Sequence, residues 1–296
     1  MARSTSNRSR SKPTARRAPA RRAPGRRART SWWIAIAGVV AVVSALVAIV
    51  ALGRSPAPAT SASTRAIREV THVPARALAS AVPGSLPQVH ALPPGTPPVE
   101  TGGKPVLTYV GAEYCPYCAA ERWPLVVALS RFGRFSHLEA SASASNDVFP
   151  STPTLSFHGA AYTSPYLSLS AVETSTNRPA ALGGYTSLDA PTAQQQELLN
   201  RYDTTRYTGT QGAIPFVMVG SRYVWAGATY SPAVLGGLSF DQIAARLADP
   251  TTTVGRTIDA QANAITAMIC QLTGDQPSPV CSTPSVARAV SSLPGS

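Results

Sequence analysis

The first 31 residues contain no acidic residue, and charged residues of either sign are missing from residues 32–52. Histidine and cysteine are rare, with four of each in 296 residues. The histidines form no cluster, and Cys270 and Cys281 have ten residues between them rather than two. A structural zinc site draws on four ligands at short paired spacings. No metal site is therefore expected. Repeats of 20–50 residues are also missing, which excludes solenoid and propeller architectures. The formal charge of +12 suggests a nucleic-acid partner until its distribution is read. Residues 1–31 hold ten Arg and one Lys, so +11 sits there and the other 265 residues carry a net +1. The remainder is nearly neutral, and no nucleic acid is expected as partner.

The segment after the basic tail accounts for it. Residues 32–52, from Trp32 to Leu52, have Ser44 as their one side-chain hydroxyl. As a helix, 21 residues reach about 30 Å, enough to cross the hydrocarbon core of a bilayer. Backbone groups in lipid must pair within their own segment, so a transmembrane helix is expected. Trp32 and Trp33 stand where an interfacial anchor belongs, and the positive-inside rule keeps the tail cytoplasmic. The composition of that tail predicts disorder, and anionic lipid is its nearest partner. The rival reading is a cleaved signal peptide, with Ala57-Pro58-Ala59 as a loose cleavage site. The apolar run is long for that role, so an uncleaved, single-pass cell-membrane anchor is preferred, with everything after it extracytoplasmic.

Residues 53–65 read as a flexible linker of Ser, Ala, Pro and Thr. Residues 53–103 as a whole form a linker and lead-in. Within them Val70 to Val82 has a weak helical pattern, and Pro-rich loop continues to Pro98. From Lys104 the signals sharpen, and a folded domain is expected over 104–285, with a tail over 286–296. Pro105 to Val110 reads as a buried strand ending at Gly111. Ala119 to Phe132 reads as a helix, with Pro124 as a kink. Weaker strand candidates are Phe135 to Ala140, Thr154 to His158 and Tyr166 to Val172. A helix runs from Pro191 to Tyr202, a strand from Ile214 to Val219, and its hairpin partner from Tyr223 to Ala226. Helices over Phe240 to Leu247 and Thr257 to Leu272 complete a mixed α/β order.

The chemistry centres on Cys115-Pro116-Tyr117-Cys118, between a predicted strand and a predicted helix. A cysteine at a helix start meets unpaired N–H groups and the positive end of the dipole. Both stabilise the thiolate, which is the attacking species. Cys115 is the expected nucleophile and Cys118 the resolving thiol. Pro116 loses nothing at an early helix position. A static disulfide is the alternative, but a two-residue loop makes a poor staple. Ile214-Pro215 opens a strand downstream, where proline is tolerated without any role. Beside a C-x-x-C motif, however, it matches the proline that is cis in thioredoxin folds and faces the nucleophilic sulfur. Pro215 is therefore placed with the catalytic pair. Pro116, Tyr117 and Ile214 are placed at the substrate, with the Ile214 backbone free to pair with an extended chain. Cys270 and Cys281 are expected to pair as a structural disulfide, which an oxidising compartment permits. The alternative is two free thiols, with Cys270 as core. Trp123, Trp225 and Tyr202 read as packing residues.

The run Gly-Ala-Glu-Tyr-Cys-Pro-Tyr-Cys-Ala-Ala-Glu-Arg-Trp at 111–123 resembles a bacterial and archaeal family, domain of unknown function 929. Thr-Ser-Pro-Tyr at 163–166, Ile-Pro-Phe at 214–216 and Ile-Cys-Gln-Leu-Thr-Gly at 269–274 are similar as well. The resemblance spans residues 66–285. It implies a thioredoxin-like fold, often with an N-terminal anchor, and no known substrate. Chemistry carries over from thioredoxins onto Cys115, Cys118 and Pro215 alone. Two departures stand out. Ninety-six residues separate Cys118 from Pro215, so an insertion is expected between the C-x-x-C helix and the cis-proline strand. No Asp stands in the strand before the motif, where thioredoxins keep a buried acid; Glu113 and Glu121 are candidate substitutes, but both read first as solvated surface residues.

The expected function is a membrane-anchored, extracytoplasmic thiol–disulfide oxidoreductase. Its partners would be exported protein thiols or disulfides and a membrane redox partner, with no cofactor. One alternative is a non-catalytic thioredoxin-fold binding or scaffold module of the cell envelope. Another is envelope electron transfer to a specific partner.

Overall fold

The computed structural model describes residues 59–295. The basic tail, the expected span at 32–52 and the cleavage signal lie outside the described residues. Among those described, no helix is long and apolar enough to cross a membrane.

Helices α1 (Ala59–Thr71) and α2 (Ala75–Ser80) come first, then strands β1 (His90–Ala91), β2 (Glu100–Thr101) and β3 (Lys104–Gly111). Helix α3 (Pro116–Leu129) leaves the end of β3. Strands β4 (Arg134–Ser136), β5 (Glu139–Ala142), β6 (Pro153–Ser156) and β7 (Ala161–Thr163) come after it. Next come β8 (Ser168–Glu173), β9 (Ser175–Pro179) and β10 (Tyr185–Ser187). After α4 (Ala193–Tyr202) and α5 (Thr205–Thr208) comes the hairpin of β11 (Phe216–Val219) and β12 (Tyr223–Ala226). The chain ends in α6 (Phe240–Arg246), α7 (Thr253–Leu272), α8 (Ser278–Cys281) and α9 (Pro284–Val290).

The main sheet centres on β3. Strand β8 runs parallel to it on one side. Strand β11 runs antiparallel on the other, followed by β12 and then β1. β2 pairs with the first residues of β3. Side chains alternate across a strand, so a middle strand buried on both faces must be apolar throughout. Leu107 and Tyr109 join one core with α3 and α7, whereas Val106 and Val110 join a second core with Leu198 and Tyr202 of α4. The sheet is therefore a layer between helices. Helix α3 is buried around its whole circumference from Cys118 to Leu129, as befits a central helix. Capping boxes open α4 at Thr192 and Gln195, and α6 at Ser239 and Gln242.

The ordered domain is larger than 104–285. Helix α1 begins at Ala59, inside the stretch read as flexible linker. The lead-in is not loosely attached, since Val70, Leu78, Leu86 and Val89 are all buried in the main core. Their contacts are distant in sequence, and composition does not reveal them. The tail read from residue 286 is part of helix α9, and Val286, Ala289 and Leu293 are buried. The candidate strand at Phe135 to Ala140 is two strands, because His137 has φ 56° and turns the chain between them. Strands β7, β9 and β10 carry no sequence signal strong enough to find. Cys270 in α7 and Cys281 in α8 are joined by a disulfide.

Helix α3 also continues through Pro124. Proline lacks an N–H, which deprives the carbonyl four residues earlier of its helical partner. That carbonyl belongs to Ala120, and the Tyr230 hydroxyl donates to it at 2.8 Å.

Candidate functional site

Cys115 is the N-cap of α3, in extended backbone conformation, with Pro116 in the first turn. Its sulfur accepts from the Cys118 N–H at 3.3 Å. On its other side the sulfur lies 3.7 Å from the Ile214 carbonyl oxygen, to which the thiol donates. The Ile214-Pro215 bond is cis. The Pro215 carbonyl accepts from Gly227 N–H at 2.8 Å, which ties this turn to the end of β12. Cys115, Cys118, Ile214 and Pro215 thus converge, although nearly a hundred positions separate the two pairs.

Cys115 and Cys118 are both free thiols. Cys115 is 5% exposed and Cys118 0%. The hydrogen bond from the Cys118 thiol pulls Cys115 below the ordinary thiol range. The Cys118 and Tyr117 N–H groups and the Arg122 charge act in the same direction, against the opposing effect of burial. Burial pushes Cys118 well above that range. Two sulfurs one helical turn apart are therefore made unequal by their surroundings.

Of the residues expected at the substrate, Tyr117 is exposed, Ile214 is half-buried and Pro116 is buried. Pro116 shapes the helix start rather than offering a contact surface. The rim beside the thiols draws on residues between α3 and β11. Tyr117 meets Phe149 edge-on at 5.9 Å, and Tyr114 stacks on Tyr185 at 4.1 Å. An open cleft of about 310 Å³ continues from Phe149 between Pro153, Pro232 and Leu238.

Beneath the thiols lie buried charges. Arg122 and Glu173 form an ion pair with both side chains 0% exposed. Arg122 Nε donates to Glu173 Oε1 at 2.8 Å and Nη2 to Oε2 at 2.6 Å. Nη2 also donates to the Ala112 carbonyl at 2.8 Å. The guanidinium lies 5.9 Å from the ring centre of Tyr109. Gly111 makes room for that ring, since a Cβ there would collide with the phenol. Arg122 was readable in principle, because it follows Cys118 by four residues and shares its helix face. Glu173 carried no such signal.

Glu121 is not the solvated surface residue expected from the sequence. It is 0% exposed, because α3 is enclosed on every side. Its carboxylate accepts from Trp225 Nε1 at 3.2 Å, from Thr229 N–H at 2.7 Å and from Thr229 Oγ1 at 2.8 Å. Burial raises its pKa to about 7. Glu113 is half-buried and accepts from the Ser156 hydroxyl at 2.7 Å. Among the described residues, no group of three His, Cys, Asp or Glu is gathered to hold a metal ion.

Searches of curated proteins and of solved structures find no match for this chain. A family model described as a domain of unknown function matches residues 97–271, well over half of the chain and including both thiols and Pro215. The chain therefore belongs to the domain of unknown function DUF929 family.

Proposed function

We propose that this protein is a thioredoxin-like thiol–disulfide oxidoreductase, anchored by residues 32–52 and working outside the cytoplasm on exported proteins. One observation carries the reading. Two free thiols share a helix N-terminus, with Cys115 lowered and Cys118 raised in pKa, opposite the carbonyl that precedes a cis-proline. The fold reading is supported by the strand arrangement β8-β3-β11-β12, with the motif at the end of the middle strand and Pro215 just before its antiparallel neighbour.

The exchange balances without a cofactor. Cys115 thiolate attacks one sulfur of a substrate disulfide, forming a mixed disulfide and releasing the other sulfur as a thiolate that takes a proton. Cys118 then loses its proton and attacks the Cys115 sulfur. The Cys115–Cys118 disulfide forms, and the second substrate thiol leaves. Two electrons and two protons pass to the substrate, and the reverse sequence oxidises a dithiol. The Ile214 backbone and Tyr117 are the proposed substrate contacts, with an extended polypeptide as the class of substrate.

Cys118→Ala should trap mixed disulfides with exported proteins, because attack remains while resolution is lost. Cys115→Ala should trap few or none. A second reading, a scaffold module of the envelope, draws on the low exposure of Cys115. It predicts no trapped partner from either variant and an alkylation pKa for Cys115 at or above the free-thiol value of about 8.5. The topology is tested separately. Protease added to spheroplasts should digest the domain, and a domain that survives would reverse the proposed orientation.

A further inference from the structure

We infer that Arg122 is the positioning residue that steadies negative charge on the exchanging sulfurs, with Glu173 holding its guanidinium in place. The inference rests on the exchange reading above and assigns a role to a pair that the sequence motif does not include.

Arg122 lies four residues after Cys118 on α3, so the two side chains rise from one helix face. The Ala112 carbonyl accepts from Cys115 N–H at 3.3 Å and from Arg122 Nη2 at 2.8 Å. One carbonyl therefore ties the guanidinium to the backbone of the nucleophile. Glu173 arrives through sheet register, since parallel pairing sets it opposite Gly111, four residues before Cys115. The cation is thus held from both sides directly behind the motif.

The arrangement is also costly. Taking both members of an ion pair out of water is expensive, and a well-packed apolar pair is often as stable. Here both are 0% exposed, yet the set is incomplete. Arg122 Nη1 and the Tyr109 hydroxyl have no hydrogen-bond partner. A buried N–H left open normally carries a cost in stability. Such a cost is understandable where charge arrives only during the reaction. In the resolving step Cys118 must become a thiolate inside the protein. An undercommitted guanidinium one turn below it supplies the compensating charge without needing to move.

Among the described residues, the charged and titratable groups around the thiols are few. They are Arg122 on α3, Tyr117 within the motif, Tyr109 on β3, Glu173 on β8, and Glu113 and Tyr114 in the loop before the motif, with Tyr185 and Asp147 facing Tyr114. Arg122 is the sole cation among them, and it favours the thiolate at both cysteines. Glu173 acts against the Cys118 thiolate.

The test measures iodoacetamide alkylation of Cys115 against pH, using the full-length chain in detergent. Arg122→Met combined with Glu173→Gln removes both charges. It should raise the alkylation midpoint by about one pH unit, an about tenfold loss of rate on the acid side. Arg122→Lys keeps the charge and should recover most of that loss. An unchanged midpoint in the folded double variant would reduce Arg122 to packing and overturn the inference. Should the double variant not fold, Arg122→Gln alone decides, since Arg122 is the charge that favours the Cys115 thiolate. A midpoint raised from wild type supports the inference, and an unchanged or lowered one refutes it. This readout does not depend on a substrate. A midpoint that moves as expected while Cys118→Ala traps nothing would remove the oxidoreductase reading and leave the Arg122 assignment standing.

Discussion

Glu121 holds three donors on one carboxylate, and they come from the end of the β11–β12 hairpin and the segment after it. It links the helix carrying the thiols to the hairpin that starts after Pro215. Burial raises its pKa to about 7, above the unfolded value of about 4.3. The folded state therefore binds the proton more tightly. Stability from this group is full below about pH 4 and is lost as pH rises through about 7. Asp259 acts in the same direction, with its pKa raised to about 8 by burial and neither oxygen hydrogen-bonded. Urea unfolding of the wild type should thus show a loss of stability between about pH 5 and 8. In Glu121→Gln that loss should shrink by about 3 kcal/mol, because each pH unit between the folded and unfolded pKa is worth about 1.4 kcal/mol. An identical pH profile in the variant would mean that Glu121 does not titrate there.

Helix α3 is the element on which the site depends, and Pro124 is its weak point. The Ala120 carbonyl left without a helical partner is served by Tyr230 instead. Tyr230→Phe removes that donor and leaves a buried acceptor open, at a cost of about 1–3 kcal/mol. Thermal or urea denaturation should show that loss with far-UV dichroism intact. The reactivity of Cys115 should change little, because the broken contact lies more than a turn from its sulfur. A neutral substitution would mean that water serves the carbonyl equally well. Helix α7 shows a different means of support. Its last turn is bonded to α8 through Cys270 and Cys281, which holds the C-terminal helices against the core.

At the scale of the molecule, the described domain needs both of its ends. A chain starting at residue 104 would lose Val70, Leu78, Leu86 and Val89 from the core. Each buried aliphatic side chain contributes roughly 1.5–3 kcal/mol. Four of them rival the whole net stability of a domain, about 5–15 kcal/mol. That shortened chain should fail to give a cooperative unfolding transition, whereas a chain starting at residue 59 should give one. Limited proteolysis of both would check the same point. A cooperative transition in the shorter chain would show that the lead-in helices only decorate the fold.

Features whose signals are local were legible in the sequence. The strand over β3, the helix after the thiols, the β11–β12 hairpin, Ser239 as a helix start and the placement of Cys115 at the start of α3 all rest on propensity, capping and position within a few residues. The family resemblance was legible for the same reason, since its clearest motif is thirteen contiguous residues. The packing behind those residues depends on pairings that no local signal encodes. Arg122 finds Glu173 across 51 positions because β3 and β8 pair in one particular register. Glu121 finds Trp225 and Thr229 across more than 100 positions because the hairpin lies against α3. A glutamate one turn into a helix looks solvated in sequence, and it becomes a buried acid when every face of that helix is covered. Helices α1 and α9 escape sequence reading on the same ground, and α2 shows only as a weak pattern over Val70 to Val82, because short, alanine-rich segments gain their stability from the core they join.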